Sequence, residues 1–206
     1  MSNAVLSHSK FIHIPKCAGS AIQSCLWHIG CIQHENQVIG HPHYGHLFAS
    51  QMKDDGLTPF AFVRNPLAWW HSYYHWNMNP SHSRFDKCEL RTDSFDQWVS
   101  EYGQLWLGKY TLIVKRYLGE DANFPTTNTV RHVGKAENAF ADLREILRTI
   151  GQPHNRQRLE EVIRGNTKPW EGRHDNIQSY DRSAISRTTK EIIYNTEQDI
   201  FERFSY

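Results

Sequence analysis

Two short runs of bulky apolar residues, Phe11-Ile12-His13-Ile14 and Phe60-Ala61-Phe62-Val63, each stop at a proline-marked turn and pass into a helical pattern. Aromatic and β-branched residues suit a pleated strand, and Pro15 and Pro66 close the runs because proline brings no backbone donor. After the first run, Ile22, Leu26 and Ile29 recur at helical spacing across Gly19 to Ile29. After the second, Asn65 reads as a helix cap and Pro66 as the first helical position. Gln37-Val38-Ile39 is a further short strand candidate. Strands that alternate with helices in this way predict an α/β layer fold with a central, mostly parallel sheet flanked by helices.

The second half of the chain continues the pattern with less regularity. Ser94 to Tyr102 is predicted helical, capped by Asp93 or Ser94, and Thr129 to Val133 is a strand candidate. A helix over Ala136 to Ile150 is ended by Gly151. Residues 152–182 are polar and read as a long loop with some helix. Ala184 to Phe204 reads as one closing helix with Ile192, Ile193 and Ile200 inward. No repeat, low-complexity tract or linker interrupts the 206 residues, so 1–206 reads as a single domain.

Charge narrows the function classes. The 23 Lys and Arg stand against 22 Asp and Glu, a net charge of +1, which argues against nucleic-acid or membrane-surface binding through a bulk basic excess. Met1 to Lys10 has no basic start followed by an apolar stretch, and no run approaches the ~20 apolar residues of a membrane span. Cys17, Cys25, Cys31 and Cys88 form no CxxC pair, although four thiols admit two bridges. They read as reduced thiols of a soluble, cytoplasmic protein.

The segment His13-Ile14-Pro15-Lys16-Cys17-Ala18-Gly19-Ser20 takes the chain from a strand through a short loop into a helix. The first amides of a helix lack intrahelical partners and sit at the positive end of its dipole, which suits an anion. Lys16 adds a cation and Ser20 a hydroxyl. The order of residues differs from the GxxxxGK[ST] loop, because here the Lys precedes the Gly. The second strand ends in Arg64, and Ser72 follows Asn65 by seven positions, two helical turns. Arg64, with its bidentate fork, and Ser72 can grip a second phosphate.

His-Ile-Pro-Lys-x-x-Gly-Ser followed by Phe-Val-Arg-Asn-Pro and a downstream Ser resembles the sulfotransferases, particularly the carbohydrate, glycosaminoglycan-type group. Val133-Gly134-Lys135-Ala136-Glu137-Asn138 and the closing Phe204-Ser205-Tyr206 are more weakly similar. The resemblance implies a three-layer, P-loop-like fold and transfer of a sulfuryl group from 3′-phosphoadenosine 5′-phosphosulfate to an acceptor hydroxyl, on a carbohydrate. It also implies that Lys16, Cys17, Ala18, Gly19, Ser20 and Ala21 hold the 5′-phosphosulfate, and that Arg64 and Ser72 hold the 3′-phosphate. Cys17 departs from the commoner Thr or Ala, at a position that mainly offers its backbone amide.

In-line transfer requires charge stabilisation, assigned to Lys16, and a base for the acceptor proton. Gly40-His41-Pro42-His43-Tyr44-Gly45-His46 follows the strand candidate Gln37-Val38-Ile39, where the crevice of a parallel sheet lies. The resemblance points to a Gly-His pair, which selects His41, with His46 as the alternative and His43 third. A metal site on the three imidazoles is a competing reading, but no acidic or cysteine partner stands nearby, and the resemblance implies no metal. His13 reads as a core histidine. His71 and His75, one helical turn apart beside Ser72, read as surface residues with a spacing that also suits a ligand pair. Trp69, Trp70, Tyr73, Tyr74 and Trp76 crowd one helix, part core and part stacking platform. Arg84, Lys87, Arg91, Lys115 and Arg116 are candidates for attracting an anionic acceptor, and Arg173-His174-Asp175-Asn176 falls in the late loop. Two other readings compete: a small P-loop-type kinase, which lacks an evident Mg²⁺ ligand set, and a catalytically silent nucleotide-binding protein, which the presence of Lys16 disfavours.

Overall fold

The computed structural model describes residues 3–39, 46–78, 92–103, 108–127, 129–166 and 181–206. The chain divides into two compact units, Met1–Arg64 with Ile113–His174, and Asn65–Leu112 with Asp175–Tyr206.

The first unit carries a five-stranded sheet of β1 (Asn3–Val5), β2 (Ser9–Ile12), β3 (Val38–Ile39), β4 (Thr58–Val63) and β5 (His132–Lys135), in the order β3-β1-β2-β4-β5. Strands β2, β4 and β5 are parallel, with Phe11 opposite Phe60 and Phe60 opposite His132. β1 runs antiparallel to both β2 and β3. The sheet is therefore mixed: the predicted parallel character belongs to its β2-β4-β5 half. The cause is connection length, since residues 6–8 between β1 and β2 suffice for a hairpin and not for a crossover.

Helix α1 (Gly19–His28) supplies the first crossover. Phe11, Phe60 and Phe62 share one core with Ile22, Cys25, Leu26 and Ile29, with residues from α5 (Ala139–Ile150) and with Leu159 and Val162 of α6 (Arg156–Ile163). Each such side chain contributes about 1.5–3 kcal/mol on full burial. Gly151 ends α5 at φ 73°, the left-handed cap its sequence position suggests. Burial pushes the Cys25 and Cys31 thiols up to about 12; among the described residues Cys17, Cys25 and Cys31 form no disulfide, and Cys88 lies outside them.

Three boundaries differ from expectation. The strand read at 11–14 lies at 9–12, because Ser9 to Ile12 are the residues that pair with Thr58 to Ala61 of β4. The strand predicted at 129–133 lies at 132–135, because the Val130 amide donates to Leu118 O, at the end of α4 (Lys109–Leu118). The helix expected from Ala136 begins as a tighter 3₁₀ turn at Ala136–Asn138.

The second unit packs helices α2 (Pro66–Met78), α3 (Phe95–Tyr102), α7 (Arg187–Thr196) and α8 (Gln198–Arg203). Asn65 caps α2, its Oδ1 accepting from the amides of Leu67 and Ala68 at 3.0 and 3.4 Å. Ser94, not Asp93, caps α3, accepting from the Gln97 amide at 3.2 Å. Trp69, Trp70 and Tyr74 are buried, so most of the aromatic crowding on α2 is core. Trp69 stacks on Tyr73 and on Tyr110, with centroids 4.9 and 4.6 Å apart.

The single closing helix is in fact two, broken at buried Glu197. Its carboxylate accepts from Trp70 Nε1 at 3.0 Å, from the amides of Tyr110 and Thr111 at 3.1 and 2.7 Å, and from Thr111 Oγ1 at 2.6 Å. Those amides belong to the first turn of α4, so Glu197 caps that helix from a distance in sequence. Among the described residues, no helix is long and apolar enough to cross a membrane.

Candidate anion-binding site

The end of β2 is fixed before the loop begins. Asn3 is fully buried in β1, and its Oδ1 accepts from the His13 amide at 2.9 Å. Its Nδ2 donates to Leu47 O at 2.8 Å, so one side chain anchors both the exit of β2 and the segment after His46. The buried His13 imidazole stacks on Phe11 and meets the His46 ring edge-on, with centroids 5.9 and 4.3 Å apart. It also lies over Gly19, where a Cβ would overlap the ring. Glycine is required there by close approach.

The loop then turns sharply. Cys17 donates its amide to Ile14 O at 3.3 Å, and Lys16 and Ala18 adopt left-handed backbone at φ 66° and 59°. A non-glycine residue in that region costs of order 1–3 kcal/mol, and such strain gathers where a backbone is shaped for binding. Alternation of left- and right-handed residues is also the pattern that directs successive amides toward one anion. Helix α1 starts at Gly19 with no side-chain cap and no acidic residue in its first turn. Cys17 and Gly19 are buried, Lys16, Ala18 and Ala21 half-buried, and Ser20 exposed.

Arg64 leaves the neighbouring parallel strand β4 and donates from Nη1 to Lys16 O at 3.3 Å. Burial, and then the Arg64 charge, lower the Lys16 ammonium from its ordinary 10.5 to about 8. Two cations thus converge at the C-terminal ends of adjacent parallel strands, beside a helix N-terminus. The arrangement favours a multiply charged oxyanion.

Of the predicted site residues, Lys16 to Ala21 and Arg64 come together in the first unit. Ser72 sits half-buried on α2 in the second unit. His41 and His43 lie outside the described residues, as do Arg84, Lys87, Arg91 and the 173–176 segment. His46 is described: its buried Nδ1 makes no hydrogen bond among the described residues, and burial holds its pKa down to about 4. Arg116 pairs with Asp121 at 3.2 Å and lies over the Phe124 ring.

Asn3 is the residue that sequence reasoning missed. One polar residue in the run Asn3-Ala4-Val5-Leu6 was its only signal. No protein-family model matches the chain, and no curated protein matches it.

Proposed function

We propose that this chain is a sulfotransferase with a three-layer, P-loop-like fold. It moves a sulfuryl group from 3′-phosphoadenosine 5′-phosphosulfate to a hydroxyl, on a carbohydrate acceptor. The observation that carries the reading is the pairing of the strained Lys16 loop with Arg64 from the adjacent parallel strand. In this reading the 5′-phosphosulfate lies on the amides from Cys17 to Ala21, and Arg64 takes the 3′-phosphate. Lys16 stabilises charge that builds on the departing phosphate oxygen as the S–O bond breaks.

The acceptor oxygen attacks sulfur in line, and His41 takes its proton. His46, with a pKa near 4, accepts a proton weakly at neutral pH, which supports His41 as the base. The transfer needs no metal.

Titration calorimetry with adenosine 3′,5′-bisphosphate tests the reading. Binding that Arg64→Ala weakens ~10-fold or more is expected; absence of binding by the wild-type chain overturns it. With labelled donor and a panel of hydroxyl acceptors, His41→Ala abolishes transfer and keeps bisphosphate affinity. Loss of transfer in His46→Ala alone moves the base to His46.

A further inference from the structure

Helix α2 carries a second grouping of chemistry-bearing side chains that the transfer reaction does not use. His71 and His75 stand one turn apart, and their Nε2 atoms approach to 3.1 Å. Side chains at this spacing share a helix face. The rings meet at 69° with centroids 4.4 Å apart, so the two nitrogens converge instead of stacking. Phe95 packs edge-on against His71 at 5.2 Å, and Tyr74 against His75 at 5.0 Å, which limits how the rings swing. Both histidines are half-buried and thus reachable from solvent.

We propose that His71 and His75 form a two-imidazole chelate for a first-row divalent cation such as Zn²⁺, Ni²⁺ or Cu²⁺. A metal held by two imidazole nitrogens at about 2.0–2.1 Å, at an angle near tetrahedral, separates those nitrogens by somewhat over 3 Å. The observed approach already satisfies that bite within a few tenths of an ångström. Imidazole is a ligand these cations share, and Cu²⁺ binds tightest in the series.

With both rings neutral, a 3.1 Å contact has one Nε2–H donating to the other Nε2 lone pair. Metal binding needs lone pairs on both, so the proton shared between the two Nε2 atoms leaves as the metal enters and passes to solvent. Among the described residues no third His, Cys, Asp or Glu joins them.

The test is zinc titration of the full chain, followed through the imidazole ¹⁵N resonances. The expected result is two Nε2 signals that shift together, both assigned to His71 and His75 by their loss in His71→Gln and His75→Gln. Each single substitution weakens this site at least ~10-fold, as loss of one arm of a chelate must, and the double variant is little worse than either single one. Exposed His34 is the control, and His34→Gln leaves the site unchanged. Wild-type spectra in which these two signals do not move with Zn²⁺ overturn the proposal, whatever the variants do. So does a single substitution no more costly than His34→Gln. Neither outcome bears on bisphosphate binding, which rests on Lys16 and Arg64.

Discussion

The Arg64 guanidinium holds the carbonyl oxygen of Lys16, Nη1 to O, at 3.3 Å. This bond ties the end of β4 to the left-handed crest of the loop after β2, where the backbone gains nothing by its own propensity. It also sets two like charges close together in a partly desolvated place. The same contact that shapes the loop makes Lys16 easier to deprotonate, and an anion between the two groups removes that conflict.

A pH dependence follows for Lys16. Its pKa is about 8 in the folded chain against an ordinary 10.5. Between those values the unfolded chain binds a proton that the folded chain has lost, so this group's contribution to stability rises with pH through that window. Below pH 8 the penalty is fully present. Bound bisphosphate raises the pKa again, so binding takes up a proton above pH 8 and weakens as the medium becomes alkaline. Calorimetry in buffers of different ionisation enthalpy measures that proton. Lys16→Met abolishes the uptake and costs about 1.5–3 kcal/mol of affinity at pH 7; an unchanged uptake assigns the proton elsewhere.

The contact between His13 and Gly19 predicts a rescue. Gly19→Ala forces its new methyl group into the His13 ring and is expected to cost ~1–3 kcal/mol, with weakened bisphosphate binding. His13→Ala makes room for it. The double variant should therefore be more stable than the sum of the two single effects, a coupling read from urea midpoints. Additive losses mean that some other atom resists the methyl group.

A second pH dependence, on the acid side, belongs to His46. Its folded pKa near 4 lies below the ordinary 6.5, so between those values only the unfolded chain is protonated there. Stability falls as pH drops from 6.5 toward 4. His46→Gln cannot take the proton, and its urea midpoint should fall less between pH 7 and pH 4.5 than that of wild type. Equal slopes for the two proteins place the acid sensitivity on another group.

Much of the frame was legible in the sequence because it rests on local chemistry. Phe60 to Val63 is a strand by composition, Asn65-Pro66 starts a helix by capping, and Gly151 ends one by its left-handed backbone. What escaped depends on partners far away in the chain. β1 is three residues long and exists because β2 and β3 pair with it on either side. Val130 reads as strand, yet its amide is drawn to Leu118. At the site, the Lys16 loop and Arg64 were visible as motifs, whereas Asn3, which sets the loop's entry, carries no periodicity or spacing that announces it.

Glu197 is the strongest case of such distant control, and its removal should be costly. The isoleucine spacing predicts one helix from 184 to 204, and the carboxylate that four donors require breaks it. Burial raises its pKa above 4.5 despite those hydrogen bonds, which pull the other way. Glu197→Ala leaves the Trp70 indole and two first-turn amides of α4 without their acceptor, an expected loss of at least ~2 kcal/mol. Glu197→Gln keeps one acceptor oxygen and should lose less. The pH sign is opposite to that of His46. The folded chain holds the Glu197 proton more tightly, so this group's contribution to stability declines as pH rises through the window starting at 4.5. Comparing Glu197→Gln with wild type across that window isolates the effect, with Trp70 fluorescence as a local report. A glutamine variant with the same pH dependence as wild type would show that Glu197 stays ionised throughout and acts purely as the cap of α4.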